Sequence, residues 1–315
     1  MAALGWLTPR RRSATARSVL AGEAAAEAAR KTSAADDDAA LLTATPEEAA
    51  EEPVFPVAGD VRAAAFFDLD NTVMQGAAIF HFGRGLYKRK FFERRELTRF
   101  AWQQAWFRLA SVEDPEHMQD ARDSALSIVK GHRVSELMSI GEEIYDEYMA
   151  DRIWPGTRAL AQAHLDAGQK VWLVTAAPVE TATIIARRLG LTGALGTVAE
   201  SVDGVYTGRL VGEPLHGPAK AEAVRALAAA EDLDLDRCAA YSDSHNDIPM
   251  LSLVGHPYAI NPDTKLRKYA RARDWRLRDY RTGRKAAKVG IPAAAGVGAL
   301  AGGTAAALAL HRRRR

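Results

Sequence analysis

The stretch VRAAAFFDLDNT, residues 61–72, joins a short apolar run to two aspartates, Asp68 and Asp70. The apolar run has the length and composition of a fully buried β-strand. Side chains alternate along an extended chain, so Asp68 and Asp70 are predicted to project to the same side at the end of this strand. No lysine or arginine stands beside them in the sequence. A bound divalent cation, or a proton held by one of the two, is therefore needed to offset their repulsion.

Two more segments are predicted to be buried strands, KVWLVT (170–175) and RCAAYSD (237–243), and both end in hydroxyl or carboxyl groups. Between them, TATIIARRLGL and AKAEAVRALAAAE have the apolar spacing of helices. Strands that alternate with helices predict an α/β fold with a doubly wound parallel sheet. In such a sheet, reactive groups gather at the carboxyl ends of the strands.

The alternation is interrupted over residues 75–154, which are rich in aromatic residues, have helical spacing and lack a strand signal. We interpret this segment as a helical cap inserted into a catalytic core formed by residues 61–74 and 155–280. Within the core, VAESVDGVYTGRLVGE (198–213) predicts a hairpin around an Asp-Gly turn. Residues 1–60 contain few large apolar side chains, and they are predicted to form a disordered arm, with transient helix as the alternative.

Residues 281–315 form a basic linker, an uncharged span from Val289 to Leu310 and a basic C-terminus. As a helix, the span would reach about 33 Å, enough to cross a hydrocarbon layer of about 30 Å. Its five glycines and Pro292 make the gain from insertion marginal. We expect a hydrophobic helix that tethers a cytoplasmic catalytic domain to a membrane. A helix lying on the membrane surface and a floppy tail are the alternatives.

The composition limits the classes of function. The 42 lysines and arginines nearly balance the 40 aspartates and glutamates, so no nucleic-acid partner is expected. Cys238 is the single cysteine, which excludes an internal disulfide framework and a cysteine-based zinc site.

The third predicted strand ends at Asp243, and Asp247 follows in SDSHNDIPM. With the first pair, four carboxylates are expected to converge, and a divalent cation such as Mg²⁺ would stabilise them. Thr175 offers a hydroxyl and a backbone amide, and Lys220 places an ammonium group near the start of a helix. Both suit phosphate oxygens. The pattern predicts a receptor for a phosphoryl group, with an aspartate as nucleophile.

DLDNT, the threonine of LVTAAP, Lys220 and SDSHNDIPM resemble, in their usual order, the four motifs of the haloacid dehalogenase (HAD) superfamily phosphatases. The resemblance extends over roughly residues 61–280, and the insertion after the first motif looks like the C1 cap of that family. SDSHNDIPMLSLVGHPYAINPD is particularly similar to subfamily IB, whose members are like phosphoserine phosphatase.

The resemblance implies roles for individual residues. Asp68 would attack phosphorus, and Asp70 would protonate the leaving oxygen and then deprotonate water. Thr175 and Lys220 would hold the phosphoryl oxygens, and Asn246 would point toward the substrate. The implied Mg²⁺ ligands are aspartates: Asp68, Asp70 through its backbone carbonyl, Asp243, and Asp247 as a further or indirect ligand.

Two departures from the phosphoserine phosphatase pattern leave the substrate open. MQGAAIF has no acidic residue to bind a substrate amine, and Thr175 is followed by alanines in place of glycines. A small phosphorylated substrate like phosphoserine and a lipid phosphate are both consistent with the motifs. A phosphoacceptor signalling domain and a noncatalytic membrane adaptor are the alternative classes.

Overall fold

The computed structural model describes residues 9–33, 59–91, 126 and 129–281. A six-stranded sheet with the order β3-β2-β1-β6-β7-β8 forms the centre of the described part, and a two-stranded sheet pairs β4 with β5. The strands are β1 (Ala64–Asp68), β2 (Lys170–Pro178), β3 (Gly193–Thr197), β4 (Ala199–Val202), β5 (Val205–Leu210), β6 (Ala239–Ser242), β7 (His256–Ile260) and β8 (Arg276–Arg278). The pairs β1-β2, β1-β6, β2-β3 and β6-β7 are parallel. The predicted α/β class with a parallel sheet is confirmed.

Helices connect the strands. They are α1 (Pro9–Ser33), α2 (Ala78–Lys88), α3 (Val134–Ile144), α4 (Pro155–Asp166), α5 (Val179–Arg188), α6 (Pro218–Ala230), α7 (Ile248–Leu251) and α8 (Thr264–Ala272). The described residues also form a π-helical turn (Tyr145–Met149) and short 3-10 turns (Ala150–Arg152, Leu235–Arg237, His245–Asp247). Proline occupies the first turn of α4 and of α6, where the lost backbone donor costs no hydrogen bond within the helix.

Strand β1 lies inside the sheet and is buried along its whole length. On one face, Phe67 stacks on Tyr241 at 4.2 Å, and Tyr241 stacks on Tyr258 at 4.6 Å, so an aromatic column crosses three neighbouring strands. On the other face, Phe66 and Trp172 belong to the apolar core that α6 covers. Burial on both faces explains why the run that precedes Asp68 is continuously apolar.

Residues 9–33 do not form the predicted disordered arm, because they form α1, which packs on α6 and β3. The contact face is made of small residues: Ala21, Ala25, Ala26 and Ala29 are at most 4% exposed. A Cβ atom at Gly22 would lie 2.7 Å from the backbone nitrogen of Ala223. Such small residues let two helices approach closely, so a face without large apolar side chains is still well packed. The disorder prediction was wrong for this stretch, and residues 34–58 lie outside the described residues.

The described parts of the predicted insertion are helical: α2, α3 and the turns that follow α3. Backbone hydrogen bonds join its two ends, from Gln75 N to Arg152 O and from Trp154 N to Val73 O, both at 2.8 Å. Residues 92–125 and 127–128 lie outside the described residues. The cap boundaries at 75 and 154 stay a prediction.

The predicted hairpin forms, and Asp203 (φ 52°) and Gly204 (φ 74°) make its turn. Positive φ at both central residues is the geometry that favours an Asp-Gly pair.

The chain divides into two compact units, Met1–Leu277 and Arg278–Arg315, and the second is described only as far as Arg281. Across the described ranges, no helix combines the length and the apolar character needed to span a bilayer. The hydrophobic helix predicted over Val289–Leu310 lies outside those ranges, and it stays a prediction.

Candidate active site

Asp68 is the last residue of β1 and its side chain is buried, with both carboxylate oxygens accepting hydrogen bonds. The Lys220 Nζ donates to Oδ1 at 2.6 Å, and the Thr72 Oγ1 donates to Oδ2 at 3.0 Å. Thr72 is brought back to Asp68 by a tight turn in which Asn71 has φ 60°, a conformation that asparagine tolerates better than most residues. Two donors therefore hold the Asp68 carboxylate in one orientation.

Lys220 lies in the first turn of α6 and is 4% exposed. Its Nζ also donates to the Asp247 Oδ2 at 2.8 Å, so it bridges two buried carboxylates. Burial by itself would lower the Lys220 pKa, but Asp68 and Asp247 outweigh this effect and raise the pKa above its ordinary value. Lys220 is therefore protonated at neutral pH.

Asp247 is 2% exposed and follows β6. Its Oδ2 accepts a second hydrogen bond, from the Ser242 Oγ at 2.7 Å. The Ser244 side chain begins the 3-10 turn His245–Asp247 by accepting from the Asn246 backbone nitrogen at 3.2 Å, which is the arrangement of a helix N-cap. This turn brings Asn246 and Asp247 to the same end of the sheet as Asp68.

Asp243 directly follows β6 and is half-buried. Burial raises the pKa of Asp243 to about 7, and the negative charge of Asp247 adds to the effect. Within the described residues, its carboxylate accepts no hydrogen bond, although its backbone carbonyl accepts one from Asp263 N at 2.8 Å. A desolvated carboxylate without a donor is costly. Asp243 is thus the group in this cluster that most needs a cation or a proton.

Asp70 also lies at this end of β1. Its Oδ1 accepts a hydrogen bond from the backbone nitrogen of Ala78, the first residue of α2, at 2.9 Å. Burial raises the pKa of Asp70. A carboxyl with a raised pKa exchanges protons more readily near neutral pH, which suits a general acid and base.

Thr175 lies beside Asp68, because the strand register pairs Asp68 with Val174 of β2. Thr175 is 1% exposed, and its Oγ1 accepts a hydrogen bond from Ala177 N at 3.1 Å. Thr175 thus lies near the carboxyl end of β2, where the pairing with β3 is irregular between Val174 and Pro178.

Sequence reasoning missed two hydroxyls that bind this cluster, those of Thr72 and Ser242. Both stand inside the quoted motifs DLDNT and RCAAYSD. Their roles depend on the turns that follow the strands, and the strand pattern alone does not give these turns. Lys220, which was predicted to hold phosphoryl oxygens, also forms ion pairs with Asp68 and Asp247.

The oxygen donors at this end of the sheet determine whether the site suits the implied Mg²⁺. In the described part of the chain, no three or more His, Cys, Asp and Glu residues form a group that could hold a metal ion. The implied ligand set needs only two direct carboxylates, Asp68 and Asp243, with the Asp70 carbonyl, and Mg²⁺ commonly keeps several waters. The unsatisfied Asp243 carboxylate supplies a hard oxygen donor. The residues therefore fit a Mg²⁺ ion, whereas the Oδ2 of Asp247 is already bonded to Lys220 and Ser242.

Comparison with known families agrees with this chemistry. Residues 65–252 match the haloacid dehalogenase-like hydrolase family. The chain belongs to that family.

The chain is 59% identical over 256 residues to the phosphoserine phosphatase SerB1 of Mycobacterium tuberculosis H37Rv, a match that covers 81% of this chain and 83% of that protein. A probable phosphatase of the same strain is 36% identical over 261 residues, covering 80% of this chain and 90% of the relative. A crystal structure of a Bordetella pertussis protein of unknown function is similar with a TM-score of 0.61 and 28% identity, covering 69% and 98% of the two chains. The predicted enzyme class, a phosphatase of the HAD family, is confirmed.

Proposed function

We propose that the protein is a Mg²⁺-dependent phosphatase that hydrolyses a small phosphomonoester through a phosphorylated Asp68. The observation that carries this proposal is the buried Lys220 ammonium between Asp68 and Asp247. The hydrogen bonds from Lys220 and Thr72 fix the Asp68 carboxylate, and Asp70 lies two residues further along. Fixed positive charge beside a carboxylate stabilises the negative charge that develops on a transferred phosphoryl group.

In the first step, an Asp68 oxygen forms a bond to phosphorus while the bond from phosphorus to the ester oxygen breaks. Asp70, in its protonated form, gives its proton to that oxygen, and the alcohol leaves. The hydrogen bond from Ala78 occupies the Oδ1 of Asp70, so Oδ2 is the atom available to carry the proton. The raised Asp70 pKa supports this role.

In the second step, water attacks the phosphorus of the aspartyl phosphate, and Asp70 accepts the proton that the water loses. The bond from phosphorus to Asp68 breaks, so inorganic phosphate leaves and the carboxylate is restored. Asp70 regains its proton in this step and is ready for the next substrate.

Asp68, the Asp70 carbonyl and Asp243 would hold the Mg²⁺, and Asp247 would act as a further ligand or through a bridging water. A bound Mg²⁺ would supply charge neutralisation for the phosphoryl oxygens and the carboxylates. Thr175 and Lys220 would hold the phosphoryl oxygens, and Asn246, in the turn that carries Asp247, would face the substrate.

The substrate class follows from the relatives and from the two sequence departures. The similarity to a protein named phosphoserine phosphatase supports a small phosphomonoester of an amino acid or amino alcohol. The absence of an acidic residue in MQGAAIF leaves a substrate amine without a partner in that segment. A lipid phosphate is the second candidate, because Ile79 and Phe80 at the start of α2 are 42% and 45% exposed next to the Asp70 partner Ala78.

The central test is the Asp68→Asn variant, assayed with a generic aryl phosphate in the presence of Mg²⁺. We expect activity to fall to background, because asparagine retains the shape but is a poor nucleophile. Asp232→Asn is the matched control, because Asp232 is exposed and has φ 51°, which asparagine tolerates. Activity of Asp68→Asn equal to that of the parent would rule out the nucleophilic role.

A panel of phosphoserine, histidinol phosphate and lysophosphatidate then identifies the substrate class. The highest kcat/KM with phosphoserine or histidinol phosphate supports an amine-bearing substrate, and the highest with lysophosphatidate supports a lipid phosphate. The lifetime of the phosphorylated protein is also measured. A long-lived phosphorylated form, in place of rapid turnover, would favour a phosphoacceptor signalling domain.

A further inference from the structure

We infer that Thr197 is a positioning residue that fixes the two phosphate-holding segments of the site relative to each other. This inference rests on the proposed function, because it assumes that Thr175 and Lys220 hold the phosphoryl group. Thr197 itself lies at the end of β3 and belongs to none of the four motifs.

The Thr197 hydroxyl connects two chain segments that are distant in sequence. Its Oγ1 donates to the carbonyl oxygen of Ala176, the residue after Thr175, at 2.8 Å. The same Oγ1 accepts a hydrogen bond from the backbone nitrogen of Leu215, in the loop that leads to Lys220, at 2.9 Å. One oxygen atom therefore connects the last residues of β2 with the loop before α6.

The link is made in the protein interior, where it is strong. Thr197 is 9% exposed and Leu215 is fully buried. A buried N–H or C=O group that loses its partner pays the full cost of desolvation. Removal of this hydroxyl leaves the carbonyl of Ala176 and the N–H of Leu215 without this hydrogen-bond partner, so both segments are expected to shift.

The neighbouring glycine explains how the hydroxyl reaches Ala176. A Cβ atom at Gly196 would lie 2.6 Å from the Cα of Val179 and 3.0 Å from the carbonyl oxygen of Ala177. Only glycine permits β3 to run this close to the chain after Thr175. Gly196 and Thr197 thus act together, one by allowing the approach and the other by bonding across it.

Helix α1 also contacts the loop that leads to Lys220. The Ser18 Oγ donates to the Glu213 Oε2 at 3.0 Å, and a Cβ atom at Gly212 would lie 2.6 Å from the backbone nitrogen of Ala21. The loop before Lys220 is therefore held by α1 at Gly212 and Glu213 and by Thr197 at Leu215. Of these two contacts, only the Thr197 hydroxyl also reaches the chain after Thr175.

The experiment compares Thr197→Val, which keeps the shape but removes the hydroxyl, with Thr197→Ser, which keeps the hydroxyl. The control is Thr192→Val, because the Thr192 Oγ1 accepts a hydrogen bond from Val171 N at 2.9 Å, near the other end of the same pair of strands. For each variant, kcat and KM are measured with an aryl phosphate, together with the inhibition constant of inorganic phosphate.

We expect Thr197→Val to lower kcat/KM by about tenfold to about a hundredfold and to weaken inhibition by phosphate, because small displacements of positioning groups are costly. Thr197→Ser and Thr192→Val should stay within about threefold of the parent. Thr197→Ala is assayed in parallel, since it adds no volume. The rise in melting temperature caused by phosphate is measured for every variant, which separates loss of phosphate affinity from loss of stability.

Unchanged phosphate inhibition in both Thr197→Val and Thr197→Ala would overturn the inference, and so would an equal loss in Thr192→Val. An inactive Asp68→Asn next to a fully active Thr197→Val would refute the positioning role alone. An active Asp68→Asn would refute the proposed function itself.

Discussion

Replacement of the buried Lys220 by methionine removes a positive charge, and we expect this loss of charge to lower the free energy of unfolding. In Lys220→Met, the carboxylates of Asp68 and Asp247 lose a donor at 2.6 and 2.8 Å. Both are buried, at 5% and 2% exposure. Removal of one partner from a buried ionic cluster costs about 3–5 kcal/mol, because charge is left without compensation in the interior. Methionine fills a similar volume, so the packing change contributes little.

The destabilisation of Lys220→Met should depend on pH in a stated direction. Burial, with nearby carboxylates, already raises the pKa of Asp68 well above its ordinary value, and loss of Lys220 raises it further. A carboxyl whose folded-state pKa exceeds its unfolded-state pKa lowers stability as pH rises between the two values. The deficit of Lys220→Met relative to the parent should therefore grow as pH rises and shrink as pH falls, because at lower pH the Asp68 carboxyl becomes protonated and loses its charge.

Urea denaturation with a chelator present, followed by fluorescence, measures this difference without compensation by a bound cation. Lys268→Met is the control, because Lys268 is exposed on α8, and it should change stability by less than about 0.5 kcal/mol. The double variant Lys220→Met with Asp247→Asn should recover part of the loss. A Lys220→Met protein as stable as the parent at every pH tested, or one whose deficit does not change with pH, would refute the reasoning.

Three more predictions concern packing, the cation and the C-terminal segment. Gly22→Ala should lower the melting temperature, because the new Cβ would lie 2.7 Å from the α6 backbone. Gly83→Ala in α2, which has open space around it, should raise the melting temperature. Shifts of the same sign in thermal melts would contradict the α1 packing. Burial raises the pKa of Asp243 to about 7, so protons should compete with Mg²⁺ for this carboxylate. The Mg²⁺ concentration that gives half-maximal activity should rise by up to about tenfold per pH unit below that pKa. A half-maximal Mg²⁺ concentration that does not change with pH would contradict this prediction. Deletion of residues 286–315 should move the protein from the membrane fraction to the supernatant, and an unchanged distribution would remove the predicted tether.

Much of the central sheet could be predicted because its strands are buried on both faces. Such strands give continuous apolar runs, and β1, β2 and β6 were found on that basis. Strand β3 was not predicted, since GALGT (193–197) has small residues and no β-branched side chain before its last position. It is a strand because β2 pairs with it and the core covers it. Context of this kind is not present in a short window of sequence.

Helix α1 was missed for a different reason. Disorder was inferred from the scarcity of large apolar side chains, but two small-residue faces that fit closely bury area without them. Its partner face on α6, which includes Ala219 and Ala223, lies almost 200 residues away in sequence, as does the Ser18 contact with Glu213 at a separation of 195. The amino-acid composition of residues 9–33 does not show that their small-residue face fits the face of α6.

The site residues could be predicted where residue type and position at the end of a predicted strand together indicate the chemistry. Asp68, Thr175 and Asp243 lie at or near the carboxyl ends of strands, and Lys220 lies at the start of a helix. Parallel strands bring their carboxyl ends together. Thr197 could not be predicted in this way, because its two partners are backbone atoms whose positions depend on the folded loops.

Trapping the covalent intermediate tests the central claim most directly. The Asp70→Asn variant should accept the phosphoryl group from an aryl phosphate, whose leaving group needs little protonation, but release it slowly because the base for water is missing. Borohydride reduction, followed by mass spectrometry of peptides, converts an acyl phosphate into an alcohol at the residue that carried it. The account predicts homoserine in place of Asp68. Unmodified Asp68 during turnover, or homoserine at any other aspartate, would contradict it.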